Sequence, residues 1–483
     1  MRTKQVFKML AMGFSLLSLS VTILSAQTVT TLASFNGLNG KNFAGGPSLT
    51  QGLDGNFYGA SYYGGVNGYG TVFKVTPTGK LTTLYSFCSL SNCADGRYPY
   101  GTLLLGTNGN FYGTTQMGGN GNLAQCGSIG CGTVFKITPA GELTTLHSFC
   151  SAENCTEGMA PVAGLTLGPN GNFYGTTFQG GTGCGACGTV FEITPSGVLT
   201  TPHNFNFTDG SDPQINPVLA NNGVFYGATA QGGPTNGGAV YAMNATGTFK
   251  VLFDIPLLNG QTQGVSPLSV GADGNMYGTT FAGGNGQGSI FKLAPTGAFT
   301  TLYDFCSQVC LDEAPSAGVI QASDGNLYGT AAGGSFNAGA IYQLTSDGKY
   351  TDLYSFCAQK GCPDGSGPGA TLLQGTDGKL YGVTSTGGGA KCSCGTIYSL
   401  SVSLAPFVEP NPSFGRVGNT VAILGNNLTG TTSVSFNGVP ATFTVVSDTF
   451  VKATVPSGAT SGTIQVTTSS ATLNSNVTFR VIR

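Results

Sequence analysis

The chain has 483 residues, a formal net charge of −2, only 8% charged side chains, 79 glycines, 14 cysteines and no tryptophan. So sparse and balanced a charge offers no basic patch for nucleic acid or an anionic membrane surface, both of which are held by clustered Lys and Arg. The Phe, Tyr, Val and Leu between the glycines exclude a disordered chain, so the glycines read as turns and close packing.

At the N-terminus, Arg2, Lys4 and Lys8 precede the apolar run Met9–Leu24 and then Ser-Ala-Gln. This pattern predicts a signal peptide over residues 1–26, cut after Ala26, and hence an exported mature chain. The run is interrupted by serines and is short for a membrane anchor. No later segment reads as a transmembrane helix.

From there one phrase recurs. GNFYGAS begins at 55, GNFYGTT at 109 and 171, GVFYGAT at 223, GNMYGTT at 274, GNLYGTA at 325 and GKLYGVT at 378. Each is followed by a second phrase of the GTVFK type, at 70, 132, 188, 238, 288, 339 and 395, and six of those by a third of the LTTLYSF type. A period near 50 residues marks one supersecondary unit repeated. Each unit reads as four short strands, A to D, placed in the first unit at Pro47–Leu53, Asn56–Tyr62, Thr71–Thr76 and Lys80–Phe87. Every A–B junction is Asn-Gly or Asp-Gly, which predicts a two-residue type I′ hairpin. Four antiparallel strands at this period make a β-propeller blade. The seventh unit stops after strand C, at GTIYSL (395–400), while TVTTLASF (28–35) matches a D strand with no A before it. The expected fold is therefore all-β: a seven-bladed propeller over 27–400, closed by its N-terminal strand, which leaves no unpaired edge between first and last blades.

The cysteines fall into local pairs: Cys88/Cys93, Cys126/Cys131, Cys150/Cys155, Cys184/Cys187, Cys306/Cys310, Cys357/Cys362 and Cys392/Cys394. Even numbers at short spacing in an exported chain predict disulfides. Each six-residue loop closed this way gains about 2 kcal/mol. The Cys392/Cys394 ring would be very small. The Cys184-Gly-Ala-Cys187 spacing also suits a zinc knuckle, but structural zinc takes four ligands and the chain has two histidines. No metal and no cofactor are expected.

Strand direction alternates, so B–C and D–A loops leave one face of the ring and tight A–B and C–D turns the other. All seven cysteine pairs belong to the first face, where elaborated loops commonly carry binding. Two neighbouring loops there are rich in tyrosine: ASYYGGVNGYG with Tyr62, Tyr63 and Tyr69, and ADGRYPYG with Arg97, Tyr98 and Tyr100. Their convergence would suit carbohydrate or peptide contact; the plainer reading is packing around a loop corner. Phe178 and Phe281 fall in the Tyr62 column of later blades. Acids recur in the D–A loops: Asp95, Glu157, Asp209, Asp212, Asp312, Glu313 and Asp364. A glycosidase or lyase would need two of them opposed across a cleft, whereas the Asp-Gly context makes most of them turn residues. His147 and His203 stand where other D strands carry Tyr or Phe, as aromatic substitutes. No nucleophile-elbow, zinc-protease or phosphate-loop motif occurs.

After Leu400 the period ends. Residues 401–412 carry three prolines and read as a stiff linker. The remainder, within 406–483, alternates like a small Ig-like β-sandwich. Its phrases GNTVAILGNNL (418–428), VSFNGVPATF (434–443) and ATVPSGATSGTIQVTT (453–468) resemble an IPT/TIG immunoglobulin-like domain. That resemblance implies an adhesive or spacer module, or an accessory domain of glycan-active enzymes. The repeats over about 28–400 resemble the bacterial GloVer tandem-repeat family, whose units carry the same three phrases. This resemblance implies an extracellular protein and brings no reaction and no catalytic residues. Family members often end in a surface-sorting segment; the ending TFRVIR departs from that, so free secretion is expected. The expected function is a secreted, non-catalytic binding or structural protein whose partner is an extracellular polysaccharide or protein.

Overall fold

The computed structural model describes residues 27–43, 48–121, 123–257, 263–283, 286–306, 314–389 and 392–482. The expected signal peptide, Cys310, Asp312 and Glu313 lie outside the described residues. Seven four-stranded antiparallel sheets follow one another along the chain. In blade 1 the strands are A Thr50–Gln51, B Phe57–Ser61, C Thr71–Val75 and D Leu81–Ser86. Blade 7 has Leu373–Gln374, Leu380–Val383 and Thr396–Ser401, and its outer strand is the N-terminal Thr28–Ser34, with Thr28 opposite Ser401 and Ser34 opposite Thr396. The ring is closed as its sequence implies.

The repeated phrase is a packing unit. Each tyrosine of the phrase bonds through its hydroxyl to the Asp or Asn four residues earlier: Tyr58 donates to Asp54 at 2.8 Å, Tyr381 to Asp377 at 2.8 Å, and Asn108 donates to Tyr112 at 2.9 Å. In the first three blades the ring of that tyrosine meets the aromatic of the next blade, Tyr58 with Phe111 at 4.0 Å, Tyr112 with Phe173 at 4.2 Å and Tyr174 with Phe225 at 4.3 Å, whereas blades 5 to 7 offer Met276, Leu327 and Leu380 at that place. Phe57 meets Tyr381 at 4.0 Å, which carries the same contact across the seam. The glycine after each tyrosine makes room for a strand-C ring: a Cβ on Gly113 would stand 2.6 Å from Phe135 Cζ.

The A–B turns differ from expectation. Only the glycine of each Asx-Gly pair is left-handed, Gly55 having φ 74° and Gly109 φ 79°. Gly55 N–H bonds to Gly52 C=O at 3.0 Å, and Gly52 N–H to Asn56 C=O at 2.8 Å. This is a three-residue loop, a type I turn followed by a left-handed glycine bulge, rather than type I′. Asp54 stays right-handed because its carboxylate takes the Asn56 N–H and the Tyr58 hydroxyl. Strand A is also shorter than expected, two residues in most blades, but runs Arg97–Leu105 in blade 2.

The C-terminal sandwich pairs Glu409–Asn411, Thr420–Leu424, Phe450–Thr454 and Phe443–Ser447 in one sheet and faces a second four-stranded sheet. Val421, Ile423, Val434, Phe436, Val451, Ile464 and Val466 fill the space between. The expected linker 401–412 is therefore shorter: Glu409–Asn411 is already an edge strand, where Pro410 removes no required ladder bond, and Val408 is buried in the sandwich core.

The sandwich sits on the A–B turn face. Thr449 Oγ1 donates to Leu53 C=O at 2.8 Å, Asn426 Nδ2 to Thr376 Oγ1 at 2.7 Å, and Leu424 packs with Leu53 and Leu105. Strand A, or the residues leading into it, from six blades lines a central cavity of about 400 Å³, and Glu409, Pro410 and Asn411 lie at that end of it. Among the described residues, Glu409 is the only charged one in the lining.

Candidate functional site

The six residues singled out from the two loops come together on the opposite face. The blade-1 B–C loop and the start of the long blade-2 strand A lie side by side, because Tyr98 N–H bonds to Tyr69 C=O at 2.8 Å. Tyr62 stacks on Tyr98 with centroids 5.0 Å apart and planes at 17°. Tyr63 and Tyr100 meet Tyr62 edge-on at 4.6 and 5.7 Å, and Tyr69 meets Tyr98 at 5.6 Å. The Arg97 guanidinium lies 5.6 Å from the Tyr69 ring centre and 5.7 Å from that of Tyr98. Tyr63 is exposed; Tyr62, Tyr69, Arg97, Tyr98 and Tyr100 are half-buried. The cluster occupies the start of the innermost strand, whose continuation Gly101–Leu105 lines the channel, so it stands at the channel rim on the loop face.

The loop carrying it is fixed from below. Cys88 and Cys93 form a disulfide just before it. Asp95 is fully buried and accepts from the Tyr85 hydroxyl at 2.8 Å, the Ser89 N–H at 2.9 Å and the Leu90 N–H at 3.2 Å. Burial pushes the Tyr62 hydroxyl up to about 12, with its tyrosine neighbours adding to the effect, so it is a neutral donor; it donates a hydrogen bond to Gln116 Oε1 at 2.5 Å. Sequence reasoning did not include Gln116. It occupies the Tyr62 column of blade 2, a position the repeat alignment exposes. Beyond Tyr63 a hollow of about 450 Å³ runs past Lys41, Ser385 and Ser393.

Tyr98 has φ 58°. The same place in other blades holds Asn42, Ala160, Asp212, Gly264 and Gly367, all left-handed. Glycine and asparagine tolerate that region; a bulky aromatic is an outlier, and strain of this kind clusters at functional sites. Arg97 also lacks a counter-ion: no carboxylate pairs with it among the described residues, and its buried Nε has no hydrogen-bond partner.

The acids behave differently. Four of the described D–A loop acids are met by their own blades: Asp95 by Tyr85, Asp364 by Tyr354 at 2.9 Å, Glu157 by His147 at 3.4 Å and Asp209 by His203 at 3.1 Å. His147 and His203 thus take the place of the D-strand tyrosines in a repeated structural contact. Although burial opposes it, His147 and the Ser151 donors hold Glu157 below the usual carboxylate range. Asp212 is the exception, raised by burial with only Ser211 as a donor. Phe281 is exposed and Phe178 half-buried, each in the Tyr62 column and apart from the cluster. Six of the seven cysteine pairs are disulfides, including Cys126–Cys131, Cys150–Cys155, Cys184–Cys187, Cys357–Cys362 and Cys392–Cys394. The remaining pair, Cys306/Cys310, lies partly outside the described residues.

Comparisons with known proteins agree on the architecture. No curated protein matches the chain. Virginiamycin B lyase from Staphylococcus aureus superposes with TM-score 0.50 at 15% identity, over 78% of this chain and 99% of the lyase. The extracellular domain of a B. thetaiotaomicron protein described as a hybrid two-component system superposes with TM-score 0.51 at 10% identity, over 92% of this chain and 51% of that one. Identities this low show a shared fold alone. The family model described as Gloeobacter/Verrucomicrobia repeat matches residues 19–125 and 121–313, and the IPT/TIG domain model matches 408–481. The chain therefore belongs to the Gloeobacter/Verrucomicrobia repeat family and ends in an IPT/TIG domain.

Proposed function

We propose that this protein is exported and acts as a non-catalytic binding module, taking an extracellular carbohydrate chain on the tyrosine rim of blades 1 and 2. The observation that carries the reading is the pairing of a strained Tyr98 with an Arg97 that has no acid partner among the described residues. Tyrosine faces offer apolar area to a sugar ring, and their hydroxyls offer hydrogen bonds. The unpaired guanidinium matches a carboxylate or other acceptor on the ligand. Acidic sugars are accordingly the favoured ligands. The several disulfides, and the extracellular neighbour of the same fold, support export. Asp95, Glu157, Asp209 and Asp364, each tied to its own blade, favour binding over glycan cleavage.

The test is a glycan-array screen of oxidised Gln27–Arg483 beside its Tyr98→Gly variant. Glycine relieves the left-handed strain, so the variant should melt within a few degrees of the parent. Loss of the central ring should lower affinity roughly 10- to 100-fold, the usual scale for a buried aromatic anchor. A blank array for the parent, or equal binding by the two proteins, overturns the reading.

A further inference from the structure

Two cysteine pairs from different loops meet beside blade 2. Cys126 and Cys131 belong to its B–C loop, and Cys150 and Cys155 to the D–A loop that follows strand D, Leu143–Ser148. The other described pairs each staple a loop alone: Cys88–Cys93 and Cys357–Cys362 after a strand D, Cys184–Cys187 and Cys392–Cys394 in B–C loops. Beside blade 2 all four sulfurs lie within 4.8 Å of one another. All four side chains are buried, at 7, 5, 0 and 5% exposure. A local staple needs only its own partner, so the meeting of two staples is a feature that loop-stapling does not require.

The dimensions suit a different use. Four thiolates at about 2.3 Å from a tetrahedral zinc stand roughly 3.8 Å apart; these sulfurs all lie within 4.8 Å of one another, so opening the two S–S bonds would need only small side-chain movements to reach that spacing. The surroundings are soft: Met159 Sδ lies 3.9 Å from Cys131 Sγ. Gln125 Oε1 lies 3.3 Å from both Cys150 Sγ and Cys155 Sγ and is placed to accept from either as a thiol. The objection that zinc needs four ligands and the chain has two histidines therefore does not apply here, because four cysteines converge without any histidine.

We propose that Cys126, Cys131, Cys150 and Cys155, in their thiolate form, hold one soft divalent cation of the zinc class, as an alternative to the two disulfides. The states exclude each other, since each sulfur is either bonded to its partner sulfur or donates to the metal. Two equivalents of a dithiol reductant, each closing to its own disulfide, supply four electrons and four protons to open both bonds, and the cation then displaces four protons from the thiols. Removing the cation and passing four electrons to two equivalents of a disulfide oxidant, which take up four protons from water, closes both bonds again. The cluster binds the B–C and D–A loops together in the metal form and staples each separately in the disulfide form.

Cobalt is the probe. The full mature chain, reduced with a phosphine under anaerobic conditions, is titrated with Co²⁺. One equivalent should bind with the sulfur-to-cobalt charge-transfer and visible bands of a tetrahedral tetrathiolate, and Zn²⁺ should displace it. The Cys88→Ser/Cys93→Ser variant should keep that spectrum, Cys150→Ser should shift it to fewer thiolates, and Cys126→Ser/Cys150→Ser should abolish it. Since Cys150→Ser retains three ligands, a spectral shift there reports the site even if the double variant fails to fold. Absence of a thiolate spectrum in the reduced parent, or the same spectrum surviving the loss of Cys126 and Cys150, overturns the proposal.

Discussion

Replacing Tyr381 with alanine should cost about 3–5 kcal/mol of unfolding free energy, the range for removing a large aromatic from a packed core. Tyr381 is 1% exposed and packs with Phe35, Phe57, Phe73 and Ile397. Its ring meets Phe57 across the seam between the last and first blades, at 4.0 Å, and its hydroxyl holds the Asp377 turn. The void would open where the ring is closed by the N-terminal strand. Truncation should therefore also speed exchange of the amides in Thr28–Ser34, whose ladder to Thr396–Ser401 is the closure. Tyr381→Phe keeps the ring and loses one hydrogen bond, worth about 1 kcal/mol. Denaturant melts of the two variants check the ratio; a Tyr381→Ala loss no larger than that of Tyr381→Phe would contradict the stacking account.

The second large effect concerns Glu409 and has a sign set by pH. Glu409 is half-buried at the sandwich end of the channel, no cation among the described residues lines the cavity with it, and burial raises its pKa from 4.5 to about 7. An acid whose folded pKa is raised binds more protons folded than unfolded between those values. Stability must then fall as pH rises from about 4.5 to about 7 and stay low above that. At about 1.4 kcal/mol per unit, the penalty reaches up to about 3 kcal/mol. Glu409→Gln should recover that amount at pH 8 and change little at pH 4. Thermal melts of both proteins across this range measure it. A Glu409→Gln protein no more stable than the parent at pH 8 would show that the carboxylate is compensated. The loss should appear first in the seating of the sandwich, because Glu409 begins its edge strand and Asn411 Nδ2 bonds to Leu105 C=O at 3.3 Å.

What could be read from the sequence followed from local chemistry. Seven Asx-Gly turns, three phrases in fixed order and a stray D strand at the start were enough for blade number and closure, because each blade uses the same contacts. The tyrosines converged because adjacent loops on one face of a ring must meet. The turn type was misread for a physical reason: Asp54 spends its side chain on Asn56 and Tyr58, which a type I turn allows, and leaves positive φ to Gly55 alone. The linker was drawn too long because Pro410 looks like a strand breaker but sits on an edge. The meeting of Cys126–Cys131 with Cys150–Cys155, the bond from Tyr62 to Gln116 and the seating of Glu409 over the channel are contacts between elements far apart in the chain. Spacing within one repeat encodes none of them, although the repeat alignment places Gln116 in the column of Tyr62.

The most direct test of the central claim is amide hydrogen exchange of the oxidised protein with and without its best array ligand. The account predicts protection concentrated in residues 61–70 and 95–101, including the Tyr98 amide that bonds to Tyr69 C=O. Protection confined to other blades, to the A–B turns or to the sandwich would contradict it.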